Sequence, residues 1–289
     1  CALQEVRGDP RKLNLGFSAG RFQFMASPYG VVPRNPVEEA AWPVLRGQIF
    51  WEAAEIMLRL VRGDTISSDD IRKTTLSRAN FRSDEDWMAV QNANGDDCEE
   101  IEIPRRYEFE EIKSIPQEWD KSRLNLVLGS HEPALQEHVN KFMPVQVFNL
   151  SITQPDVIEA THERMKDAYL GEWERRMMPR TVMVFLNEEE GLSEAEKTAA
   201  AQTESEGALS SYWAALEGTL DPAKVSKAAN NAVIGNANDV AAQIRERFHP
   251  DDRLMLWFDF FRHDSARICR DMRAFMDKVV PLVNGGKGA

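Results

Sequence analysis

The sequence predicts an α/β protein built on parallel strands, and three observations predict it. Short apolar runs rich in Val, Leu, Phe and Met recur at 12–17, 124–128, 145–148, 181–186 and 253–258, each about the length of a buried strand. Helical patterns separate most of these runs, and such alternation marks a parallel sheet with helical crossovers. The chain has 289 residues, 43% hydrophobic and 28% charged, which is enough to fill a sizeable core.

Taken in order, the first run ends in Gly16-Phe17-Ser18-Ala19-Gly20. The following "RFQFMASPYGVVPRNP" alternates aromatics and holds three prolines, which argues against a helix there. Residues 48–61 place Ile49, Ala53, Ile56, Met57 and Leu60 on one helical face. Residues 63–120 are polar, contain "NANGDDCEE", and suggest a hairpin over 99–115. The run at 124–128 leads into a Gly129-Ser130 turn. After the run at 145–148, residues 155–169 read as a helix. The run at 181–186 precedes an Ala/Glu/Ser-rich helical stretch at 187–232, opened by the capping box Ser193-x-x-Glu196. Asn236 with Asp239 forms a related cap before a helix at 240–248. The last strand, 253–258, is followed by a helix at 265–280. That helix carries Ile268, Cys269, Met272, Phe275, Met276 and Val279 at 3.6-residue spacing and is expected to stop before Pro281, with "GGKG" as a tail. The expected organisation is one domain, 1–289, with 63–120 and 187–232 inserted on one rim of the sheet.

Composition excludes several partners. The net charge is −12, which repels phosphate backbones and anionic lipid, so neither nucleic acid nor a membrane surface is expected. No apolar run approaches the ~20 residues needed to span a bilayer. Cys1, Cys98 and Cys269 are isolated, which fits a cytoplasmic location. His131, His138, His162, His249 and His263 form no metal-ligand spacing, and there is no Walker or Rossmann glycine fingerprint.

The pentapeptide at 16–20 is a literal G-x-S-x-G. As a nucleophile elbow it would make Ser18 the nucleophile of a serine hydrolase, on a sharp strand-to-helix turn, with a separate acid and a later histidine. His249 and His263 come late enough, with Asp251, Asp252 and Asp259 nearby. The helix is not predicted, and none of these acids is placed well upstream of its histidine. Glycines at a strand end also let the backbone approach a ligand.

Four segments together resemble the bacterial luciferase-like, flavin-dependent monooxygenases. "PRKLNLGFSAGRFQFMASPYGVVPR" is similar to the family's fourth-strand segment through Arg11, Gly16, Gly20, Phe22, Phe24, Tyr29 and Gly30. "FWEAAEIMLRLVRGD" resembles its next helix, and "LNLVLGSHEPAL" its fifth strand and "GS" turn. "VIGNANDVAAQIRERF", followed by "DRLMLWFDFF" and "FMDKVVPLV", resembles its C-terminal ending. The resemblance implies a (β/α)8 TIM barrel of which the five runs are strands four to eight. The first three βα units, roughly a hundred residues of a typical ~250-residue barrel, are then expected to be missing before Cys1.

Such barrels work at the C-terminal ends of their strands. The resemblance implies that Ser18, Gly20, Arg21, Gly129 and Ser130 approach the phosphate of FMN. Where luciferases carry a phosphate-binding arginine this chain has Ala19, and Arg21 or Arg46 is the substitute. His263, after the last strand, is the candidate acid–base group, because its ordinary pKa lies near neutrality; a structural or surface role competes with it. The implied reaction oxygenates a small organic substrate with molecular oxygen and reduced flavin supplied by a partner flavin reductase. A deazaflavin replaces FMN in some relatives, and homodimers are common. A non-catalytic flavin-binding relative is the third reading.

Overall fold

The computed structural model describes residues 2–20, 26–149, 153–216, 232–260 and 263–285. The chain divides into two compact units, one of residues 1–147 with 168–172 and one of residues 148–167 with 173–289.

In the first unit a short helix, α1 (Ala2–Val6), precedes strand β1 (Leu13–Phe17). The long helix α2 (Pro36–Arg62) follows. Its Asn35 cap accepts the Glu38 N–H at 2.9 Å, Pro36 takes the first-turn position that tolerates a missing N–H, and Gly63 closes it with φ 104°. The helix starts twelve residues before the predicted 48–61, because Pro43 is accommodated inside it instead of breaking it. Packing outweighs the proline: Ala41, Leu45 and Ile49 are buried on either side of Pro43's turn.

Strands β2 (Thr65–Ile66), β3 (Thr74–Ser77), helix α3 (Asp84–Asn94), β4 (Glu100–Ile103) and β5 (Ile112–Lys113) make up the polar segment. The predicted hairpin over 99–115 does not form. β4 instead pairs antiparallel with β3, and β5 with β2. The reason is alternation: Glu100-Ile101-Glu102-Ile103 buries both isoleucines against Leu76, Phe81, Trp87, Val90 and the first half of α2. Two carboxylates of α2 pin this segment. Glu38 receives the Arg34 backbone N–H and Nε, each at 2.8 Å, and Arg106 at 3.1 Å. Glu52 Oε1 accepts the N–H groups of Arg106 and Tyr107 at 3.1 and 3.0 Å. Burial opposes ionisation of Glu38, yet the hydrogen bonds and charge of Arg34 leave its pKa below the ordinary carboxylate value.

Strand β6 (Leu124–Leu128), helix α4 (Pro133–Asn140) and strand β7 (Val145–Val147) complete the unit. The parallel sheet has the order β1-β6-β7, with Phe17 opposite Leu128 and Val127 opposite Gln146. Leu126, Leu128 and Val145 pack on Ala54, Leu58, Leu135 and Val139. β1 is not the buried strand the sequence predicts. Leu13 and Leu15 share the side of Leu124 and Leu126 but are 47% and 38% exposed, as befits an edge strand.

The second unit begins with helix α5 (Pro155–Ala168). Strand β8 (Arg180–Leu186) is buried along its whole length at the centre of the parallel order β10-β8-β9, with helix α6 (Glu194–Leu216) between β8 and β9 (Ala232–Gly235). β9 is a sixth parallel strand. It begins at the last residue of the stretch predicted as a helical insertion. Helix α7 (Ala237–Arg247) is followed by β10 (Leu254–Trp257) and helix α8 (Ser265–Ala274). Val182, Val184, Leu186 and Val233 pack against Val240, Ala241, Ile244, Phe275 and Val279. Met183, Phe185 and Ala232 face Ala208 of α6 and Phe260. Both predicted caps are present: Ser193 N donates to Glu196 Oε2 at 2.8 Å, and Asn236 Oδ1 accepts the N–H groups of Asn238 and Asp239.

The last helix does not stop before Pro281. A π-turn, Phe275–Val279, resets the ladder, and α9 (Val280–Gly285) carries Pro281 in its first turn, where no N–H is required. Met272 and Met276, predicted on the core face, are exposed. Among the described residues neither three-stranded sheet is closed, and the α/β class with parallel strands stands.

Candidate functional site

The paired ends of β1 and β6 bring together most of the residues expected at a ligand. Ladder pairing reaches Phe17 and Leu128, and Gly129 then donates its N–H to the Phe17 carbonyl at 2.9 Å, which extends the register by one residue. This sets Ser18 beside Gly129. A Cβ built on Gly129 would lie 3.1 Å from the Ser18 Cβ, tighter than ordinary contact, so the glycine lets the two strand ends close up. The Gly129 amide is therefore spent on the ladder and is not a free donor for a ligand. The Ser18 side chain is exposed and makes no hydrogen bond among the described residues.

Gly20 has φ 71°, the left-handed region open to glycine, and its carbonyl accepts a hydrogen bond from an Arg46 terminal nitrogen at 3.3 Å. Arg46 thus reaches from α2 to the loop after β1, the place where a substitute arginine was sought. Arg21 lies outside the described residues.

Ser130 is fixed from both sides. Its Oγ accepts the Glu132 N–H at 3.2 Å, and its carbonyl accepts the Gln136 amide at 2.7 Å. Glu132, not Ser130, is the cap residue of α4. The Ser130 hydroxyl proton remains available for an acceptor in front of the turn. Glu132 is itself tied to Trp51 Nε1 at 3.0 Å, which couples the turn to α2.

Of the remaining expectations, His263 is an exposed residue of the second unit, next to Asp264, whose carboxylate caps α8 through the Arg267 N–H at 3.0 Å. In the first unit His138 Nε2 is engaged by Glu55 at 3.2 Å, and among the described residues no imidazole is hydrogen-bonded to Ser18. Among the described residues no three His, Cys, Asp or Glu side chains gather as a metal site, and no helix is long and apolar enough to cross a membrane.

Sequence reasoning missed a cavity in the second unit of about 470 Å³, lined by Asn187, Glu188, Glu189, Glu190, Arg267 and Arg270 among others. Segment 187–190 directly follows the strand run at 181–186 and so lies at a strand end. The arginines were not legible, since α8 reads in sequence as an ordinary amphipathic helix.

No family model and no curated protein matches the chain. Among solved structures, it is similar to monooxygenase RslO1 from Streptomyces bottropensis, at 17% identity and TM-score 0.57, over 93% of this chain and 68% of that one. It also matches the oxygenating constituent of 3,6-diketocamphane monooxygenase from Pseudomonas putida, a type II Baeyer-Villiger enzyme in complex with FMN. That match has 12% identity and TM-score 0.46, over 93% of this chain and 70% of that one, and so loose a superposition carries no argument. The first likeness agrees with the resemblance carried by the sequence motifs, and the chain therefore has the fold of a monooxygenase.

Proposed function

We propose that the chain is a flavin-dependent monooxygenase whose β1 and β6 ends hold the phosphate tail of the flavin. The observation that carries this reading is the meeting of Ser18, Gly129 and Ser130 at two paired strand ends, with Arg46 reaching the same loop through Gly20. A phosphate needs hydroxyl donors, a cation and backbone able to come close. Ser18 and Ser130 supply the hydroxyls, Arg46 the cation, and Gly129 a surface without a side chain. The residues present fit the phosphate end of FMN.

Bound reduced flavin supplies the oxygen-activating chemistry. The chain's own part is to anchor and orient it. The Gln136–Ser130 and Trp51–Glu132 hydrogen bonds hold the turn, so the hydroxyls are set before the ligand arrives. Molecular oxygen and a small organic substrate are the co-reactants in this reading, and a flavin reductase is the partner. The motifs leave FMN and a deazaflavin both open. A hydrolase would need an imidazole hydrogen-bonded to Ser18, and Ser18 makes no such bond among the described residues.

The test is anaerobic titration of the 289-residue chain with reduced FMN, reduced riboflavin and a reduced deazaflavin, followed by flavin absorbance. FMN is expected to bind at least about tenfold more tightly than riboflavin, the size of a charge-assisted hydrogen bond or more. Gly129→Val is expected to abolish that preference, and Ser130→Ala to reduce it several-fold. Equal binding of FMN and riboflavin would falsify the phosphate assignment.

A further inference from the structure

We infer that the cavity at the C-terminal end of β8 binds an α-amino-carboxylate, a ligand carrying an ammonium and a carboxylate on one carbon. The inference stands apart from the flavin reading. It rests on the second unit alone.

The cavity's volume, about 470 Å³, lies in the usual range for small-molecule sites. Its lining holds charges of both signs, and half of them are already matched. Glu188 accepts Lys278 at 2.6 Å, Lys197 at 3.4 Å and the Ala237 N–H at 2.8 Å. Arg267 Nε donates to both Asp271 oxygens at 3.2 Å, and a terminal nitrogen reaches Glu204 at 3.2 Å. What remains is one cation and two anions. Arg270, Glu189 and Glu190 are exposed to the cavity mouth and none has an ion-pair partner in direct contact among the described residues, although the charge of Glu189 is felt by Arg267.

Asn187 adds a donor of a different kind. It is only 4% exposed and lines the cavity, and its Oδ1 is taken by the Glu189 N–H at 3.0 Å. Its amide N–H2 has no partner among the described residues. It is a donor that a ligand in the cavity can use. The Asn187 amide and the Arg270 guanidinium together suit a carboxylate. Glu189 and Glu190 suit an ammonium. A phosphate is disfavoured by the carboxylates on the same wall. A sugar is disfavoured by the absence of any aromatic residue among the lining residues, and a long apolar chain by the six charged side chains on the wall.

The same head group occurs in a free amino acid and in a γ-glutamyl conjugate. The experiment is calorimetric titration of the full chain with L-alanine and with γ-glutamyl-p-nitroanilide, and with N-acetyl-L-alanine and L-alaninamide as blocked forms. One of the first two is expected to saturate a single site. The tighter of them names the source. Blocking the ammonium or the carboxylate is expected to weaken binding at least about tenfold, the scale of one lost charged contact. Arg270→Ala and the pair Glu189→Gln with Glu190→Gln are expected to do the same. All three side chains are exposed, so the variants should melt where the parent does. No heat from either amino-carboxylate up to about 10 mM, a concentration that detects even millimolar affinity, overturns the proposal. So does equal binding of the blocked forms or of Arg270→Ala.

Discussion

A single buried imidazole makes a readable contribution to the acid behaviour expected of this protein. His162 of α5 is 2% exposed, and Trp173 Nε1 donates to its Nδ1 at 3.2 Å. The neutral tautomer therefore carries its proton on Nε2, which is buried without a partner. Burial, and next the charge of Arg175, push the His162 pKa down to about 4, although Glu159 and Asp252 pull the other way. The unfolded chain takes up this proton near pH 6.5 and the folded chain only near pH 4. Stability is therefore complete above about pH 6.5 and falls as pH drops toward 4, by up to ~3 kcal/mol. Denaturant melts at pH 7.5 and 4.5 check this. His162→Leu is expected to lower stability at pH 7.5 while flattening the slope between the two, and an unchanged slope would contradict the assignment. At this scale the sequence was informative where chemistry follows strand ends: Ser18, Gly20, Gly129 and Ser130 were all legible. Which N–H is already spent was not, because the Gly129 bond to Phe17 depends on a register that only the fold supplies.

Among the elements, the junction of β9 and α7 is the most sharply specified. Gly235 has φ 137°, and a Cβ there would meet the Asp239 side chain at 2.6 Å. Asp239 accepts the Asn236 N–H at 3.3 Å and the Thr198 hydroxyl at 2.5 Å, which ties α6 to the cap. Gly235→Ala is expected to cost more than about 2 kcal/mol, since strain and collision act together. Asn236→Ala should cost about 1 kcal/mol, the loss of a helix cap. Thermal melts rank the two, and a milder Gly235→Ala would contradict this account of the junction. The cap was visible in sequence because Asn and Asp three residues apart carry a local mechanism. β9 itself was not, since Ala-Val-Ile-Gly is four residues long and periodicity has no purchase on so short a run. The long start of α2 around Pro43 and the π-turn were not legible for a related reason. Both are local irregularities that tertiary packing decides, one held by Leu45 and Ile49, the other by Phe275 and Val279.

For the molecule as a whole, each unit carries its own parallel sheet with a partly bare edge. Leu13 and Leu15 are exposed on β1, and Met255 and Trp257 on β10. Alternation of strands and helices made the α/β class legible from the apolar runs alone. Edge status was not legible, because the same Leu-rich run reads as buried whichever neighbour it has. The functional account turns on the first unit, where two strand ends meet at Ser18 and Gly129. Phosphorus NMR of FMN tests it most directly, because the phosphate itself reports its surroundings. The account predicts that the phosphorus resonance shifts when the chain is added and returns to the free position with Gly129→Val. A resonance that stays at the free position while flavin absorbance shows binding would contradict it.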